Sequence, residues 1–137
     1  MRNMRRRLAL VGRRARRDER GAVTIEFVLW LPILLVLVLT ALDATLVFSR
    51  QTRFWNVSLE TARLVSRHAM DAEAAEGFAR SRVAFAGYTP EVDVRVTDQM
   101  VVVSIAGESS AMAPFGMLRY VLGDRIVTSV AQVVEPI

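Results

Sequence analysis

The hydrophobic and polar positions fall into four successive patterns. Between residues 22 and 48 only Glu26 and Asp43 are charged, and residues 27–42, FVLWLPILLVLVLTAL, carry no charge at all. A helix of that length rises about 40 Å, more than the roughly 30 Å of a hydrocarbon core. A soluble core helix would need apolar partners on every side, and too few residues remain to supply them. The pattern predicts a membrane-spanning helix over residues 22–48. Further on, Trp55, Leu59, Ala62, Val65 and Ala69 recur at steps of four and three, with Glu60, Arg63 and Arg67 off that stripe. This is the spacing of one apolar helix face. The first helix is expected to continue into this segment as far as about Ala69 and to break near Met70. Asp71 is placed to cap a second helix, with Glu73 and Glu76 near its positive end. That helix would bury Ala75, Phe78, Ala79, Val83 and Ala86, with Gly87 as its stop and Pro90 just beyond.

The last third changes period. EVDVRVT at 91–97 alternates, with Val92, Val94 and Val96 on one face and Asp93 and Arg95 on the other. MVVVSIAG at 100–107 is rich in β-branched residues, and Asp98-Gln99 between the two runs predicts a hairpin. A Gly-, Ser- and Pro-punctuated loop follows over 107–116, then a short helix through 117–122 and a third strand over 125–134. Three strands with one apolar face need a cover, and the amphipathic helix can provide it. The expected fold class is α+β. It comprises a long N-terminal helix and, over residues 49–137, a small head of about three antiparallel strands packed on helix.

Charge refines this picture. All 18 basic residues are arginine, and nine of them precede residue 21. Residues 21–137 hold nine arginines against twelve acids, so the positive charge belongs to the tail. A nucleic-acid-binding domain holds its positive charge on the folded part, so no nucleic-acid partner is expected. Nine arginines before the apolar span, against Arg50 and Arg53 after it, predict an N-terminus in the cytoplasm and a C-terminal part outside.

Little in the sequence points to catalysis. Cysteine is absent and His68 is the single histidine. That excludes a disulfide framework, a thiolate metal site and a cysteine nucleophile. Ser104, Ser109 and Ser110 lack a nucleophile-elbow context, and the seven glycines form no phosphate-cradling loop. No enzyme activity, cofactor or metal is expected. Three residues of the span stand out physically. An ionised Glu26 is costly in lipid unless it is paired or sits at headgroup level. Pro32 removes one helical hydrogen bond, which favours a kink, although neighbours in membrane helices also tolerate proline. Asp43, near the outer end, is expected at the interface.

The run Arg20-Gly21-Ala22-Val23-Thr24-Ile25-Glu26-Phe27 resembles the class III signal of type IV prepilins. In that signal a basic leader and a glycine precede the cut, and glutamate stands fifth in the new chain. The resemblance implies a leader over residues 1–21, cleavage between Gly21 and Ala22 by a prepilin peptidase, and Glu26 in the fifth position. Glu26-Phe27 followed by Leu31-Pro32-Ile33-Leu34-Leu35, with Val127-Thr128-Ser129-Val130 and Val134-Glu135-Pro136, resembles the TadE/TadG-like minor pilins or pseudopilins of the tight-adherence (Flp) pilus system. What this implies is a non-enzymatic pilus subunit in the cytoplasmic membrane. Its partners would be the peptidase, other pilins and minor pilins, the assembly platform and the lipid bilayer. Glu26 would set register by pairing with a neighbour's freed Ala22 amine, and Pro32 would let the helix bend. The head is too short for a full TadG protein and lacks the cysteine pair of many pilins. The alternative is an uncleaved single-pass protein that scaffolds an envelope complex.

Overall fold

The computed structural model describes residues 19–136, with side chains from Val23 onward. The arginine-rich leader therefore lies outside the described residues as far as residue 18. The chain forms two compact units that meet between residues 38 and 39. Helix α1, Glu19–Ser66, contributes to both.

In the first unit, every side chain from 23 to 38 is exposed. This stretch of α1 is apolar all round, and the helix is long and apolar enough to cross a membrane.

The second unit is α+β. After α1 come α2 (Ala72–Val83), strands β1 (Glu91–Val96) and β2 (Met100–Glu108), and the single turns α3 (Ser109–Met112) and α4 (Arg119–Leu122). Strand β3 (Arg125–Val133) completes it. The sheet is antiparallel in the order β1-β2-β3. Val92, Val94, Val101, Val103, Ile105, Thr128 and Val130 are buried on one face. They pair across strands as Val92↔Ile105, Val94↔Val103 and Val103↔Val130. Phe54, Val57, Ala62 and Val65 of α1 and Ala75, Ala79 and Val83 of α2 join them in one core cluster. The hairpin turns at Asp98-Gln99 as the sequence predicts, with the Thr97 amide donating to the Met100 carbonyl at 2.8 Å.

Three expectations about α1 are corrected. The buried face of α1 is centred one position earlier than the large apolar residues suggest. Phe54, Ser58, Thr61 and Ala62 are fully buried, whereas Trp55 is 49% exposed and Ala69 is exposed. Ser58, Thr61 and Ala62 are small enough to sit inside the packed interior, and the bulky Trp55 falls outside it. The helix also stops at Ser66 rather than near Ala69. His68 takes a left-handed φ of 56°. Its amide donates to Val65 and that of Ala69 to Leu64, both at 3.0 Å. This is a Schellman closure with histidine where glycine is usual. Asp43, expected at an interface, is fully buried. Its carboxylate oxygens accept the amides of Phe115 at 3.0 Å and Met117 at 2.8 Å. The loop between α3 and α4 is thereby fastened to α1.

Helix α2 is capped by Asp71 as expected, its carboxylate accepting the Ala74 amide at 2.8 Å. It buries Ala75, Ala79 and Val83, but Phe78 is only half-buried and Ala86 is exposed. The helix ends at Val83, and Ala86 and Gly87 instead form a tight turn between Phe85 and Tyr88, both with positive φ. That is the left-handed pair required by a type I′ turn.

Two outcomes follow from this packing. A Cβ at Gly107 would lie 2.9 Å from Met112 Sδ and 3.1 Å from the Phe54 ring. Gly107→Val should therefore destabilise the folded unit by about 1–3 kcal/mol, as overpacking does, read as a lower thermal midpoint of the full chain in detergent. Asp43→Ala leaves two amides without their acceptor, at about 1–3 kcal/mol each where they are buried. It should also speed amide exchange at Phe115 and Met117. Unchanged exchange there would show that the carboxylate does not hold the loop.

Candidate functional site

Position along α1 decides what each candidate can do. Gly21 and Ala22 lie in the first turn of α1 by backbone, and their side chains are not among those described. Glu26 follows four residues after Ala22, one helical turn on, so the two positions share a face. Its side chain is exposed, among the equally exposed Val23, Ile25, Phe27, Leu29 and Trp30. Glu26 is the single charged residue from 23 to 38. Pro32 stands inside α1, and the helix continues through it. Having no N–H, Pro32 cannot donate to the Val28 carbonyl one turn back.

The second unit carries no grouping that matches the predicted site residues. Three features of it escaped sequence reasoning. Asp43 is one of them. Arg50 is another: its guanidinium lies 4.1 Å above the Phe85 ring centroid and donates to the Ala111 carbonyl. Partial burial pushes the Arg50 pKa below its ordinary value. The third is the tie between the end of α1 and the C-terminal strand. The Glu135 amide donates to the Ser66 carbonyl at 3.0 Å, and Arg67 pairs with the Glu135 carboxylate at 3.3 Å. His68 Nε2 lies 3.2 Å from the Glu135 carbonyl oxygen. The only sequence signal for Asp43 and Arg50 was a charge beside an apolar run, which a membrane boundary explains equally well.

A polar cleft of about 760 Å³ is lined by Arg80, Tyr88, Glu91, Ser109, Arg119 and Arg125 among others. Its charges are largely compensated, Arg125 by Glu91 and Arg80 by Glu76. Among the described residues no three acidic or histidine side chains come together as a metal site.

The distinctive segment is thus the helix from Gly21 through its apolar run into the covered unit. Residues 21–63 match the family model described as TadE-like protein. No curated protein and no solved structure matches the chain. The matched residues hold Gly21, Ala22, Glu26 and Pro32, and over this segment the chain is similar to TadE-like proteins.

Proposed function

We propose that the chain is a minor pilin-like, non-enzymatic subunit of a tight-adherence pilus. It is anchored by α1 with its N-terminus in the cytoplasm and its C-terminal unit outside. One observation supports this most. From 23 to 38 every side chain is exposed, and a lone carboxylate, Glu26, stands among them. A helix apolar on all sides has to be solvated by lipid or by other helices. Away from headgroup level a carboxylate in that setting needs a cationic partner. A prepilin peptidase cutting between Gly21 and Ala22 creates such a cation, the α-amino group of Ala22. In one chain this amine is part of the same helix start. In a neighbour displaced along the helix axis it comes level with Glu26. The pair offsets part of the desolvation of both charges and fixes the axial offset between subunits. Cleavage also removes the arginines that hold the N-terminus at the cytoplasmic surface.

The reading also takes Pro32 as the point where the helix yields during extraction, because the Val28 carbonyl there has no amide to hold it. The folded unit then serves as a contact surface rather than a reaction site. The other pilins and the assembly platform are its partners.

Three measurements test this. The N-terminal residue of the mature protein should be Ala22, and a bulky residue at Gly21 should leave the full-length form. A C-terminal tag should be accessible in spheroplasts, and an N-terminal tag should not. Glu26→Gln should leave membrane level and cleavage normal. It should lower incorporation into pili by on the order of 100-fold or more, since breaking a buried pair costs about 3–5 kcal/mol. Wild-type incorporation of Glu26→Gln would remove the pairing role. A mature chain still beginning at Met1 in cells with active peptidase would leave the uncleaved scaffold reading.

A further inference from the structure

Contacts along α1 give a scale for the folded unit. The Phe115 and Met117 amides meet Asp43, the Ala111 carbonyl meets Arg50, and the Glu135 amide meets the Ser66 carbonyl. At 1.5 Å rise per residue, Arg50 lies about 10 Å beyond Asp43 and Ser66 about 35 Å beyond it. The hairpin turn belongs to the far end, where Val134, next to Glu135, donates to the Gln99 carbonyl. The segment that Asp43 holds belongs to the near end. That end adjoins the uncharged run 27–42, because residues 39–42 are themselves part of the folded unit.

The side chains at the near end are unusual for a water-facing turn. Leu118 and Leu122, one helical turn apart, pack against the core. Between them, Tyr120 is 86% exposed and Val121 80%. Phe115, Met117 and Leu42 of α1 are exposed as well. The Arg119 guanidinium lies 5.3 Å from the Tyr120 ring centroid and enters no ion pair among the described residues. Tyrosine and arginine beside apolar neighbours suit a membrane–water interface. The ring and the aliphatic stem can lie in apolar surroundings while the phenol and guanidinium stay at headgroup level.

We propose that residues 113–122 dock on the outer surface of the lipid bilayer that anchors α1. Tyr120 and Val121 enter the headgroup layer, and Arg119 meets lipid phosphate. The length of the apolar run selects this occupant. Residues 22–42 rise about 32 Å, so with residue 22 at the inner surface a core of roughly 30 Å ends near Leu42. The headgroup layer fills about the next 5–7 Å. The amides bonded to Asp43 lie at that level, and they satisfy its carboxylate there without water. Charge does not select the surface. The cleft at this end holds Glu91, Glu108 and Asp124 against Arg80, Arg119 and Arg125. Apolar insertion therefore holds the turn, and uncharged lipid suffices. Because α1 already keeps the turn at the surface, the contact is intramolecular and a few side chains are enough. The proposal rests on the membrane-anchored reading above.

The test uses the full-length protein in phosphatidylcholine nanodiscs. The chain has no cysteine, so a nitroxide can be attached at one site at a time. The sites are Leu34→Cys in the apolar run, Val121→Cys in the turn and Asp98→Cys in the exposed hairpin. Collisions are measured with oxygen, which concentrates in lipid, and with a water-soluble nickel chelate. The label replacing Leu34 should meet oxygen and exclude nickel, and the one replacing Asp98 should meet nickel. The label replacing Val121 should meet nickel several-fold less than the one replacing Asp98, and oxygen more, as for a side chain at the headgroup boundary. Adding Tyr120→Glu, at an exposed position outside the core, should restore nickel access beside it, and Tyr120→Phe should not. If the labels replacing Val121 and Asp98 behave alike while the one replacing Leu34 is in lipid, the proposal is overturned and the membrane anchor stands. Shielding of the Val121 site from both reagents would also overturn it, since protein then covers the turn. No response to Tyr120→Glu would mean that the tether alone sets the position, which overturns docking by these side chains. Nickel access at the Leu34 site would overturn the membrane anchor and the proposal together.

Discussion

A three-stranded sheet with one apolar face cannot exclude water by itself, and among the described residues α1 and α2 supply most of its cover, with Met112 and Ala113 in the same cluster. The rest of the folded unit is arranged around that cover. The α1 surface over the sheet is built from Phe54, Val57, Ser58, Thr61, Ala62 and Val65, small residues around one large ring. The Phe54 ring reaches the strand where β2 carries Gly107, the one place without a Cβ to meet it. Polar ties then hold the helix along its length. Asp43 takes two amides of the loop before α4, Arg50 reaches the Ala111 carbonyl, and the Ser66 carbonyl accepts the Glu135 amide. All of these groups are contributed by backbone that lies far from α1 in sequence. The part of α1 in the folded unit is therefore fastened at residues 43, 50 and 66, and apolar burial fills the intervals.

Elements whose determinants are local were legible in the sequence. The alternation of Val92, Val94 and Val96 places β1, Asp98-Gln99 makes the turn, and Asp71 caps α2. Each depends on residues within a few positions. Features that depend on distant backbone were not legible. Nothing near Asp43 indicates that amides 72 and 74 residues away will meet its carboxylate. Nor does hydropathy show that Ser58 and Thr61 turn inward while Trp55 turns out, because hydropathy ranks side chains by transfer energy. Fitting into a close-packed interior ranks them by size and shape. For the candidate site, Glu26 and Pro32 stand out in the sequence as a charge and a proline within an apolar helix, whereas Gly21 and Ala22 enter only through the resemblance to a prepilin signal.

Helix α1 passes through two different environments without a break. From 23 to 38 it exposes apolar groups on all sides, and from about Val47 onward it buries one face. Packing among the described residues therefore does not fix the first stretch, which is long and apolar enough to cross a membrane. In an apolar phase a single carboxylate outweighs many leucines in deciding position, because its desolvation is large and is relieved only beside a cation or at headgroup level. The leucines favour the apolar phase without choosing an axial level within it.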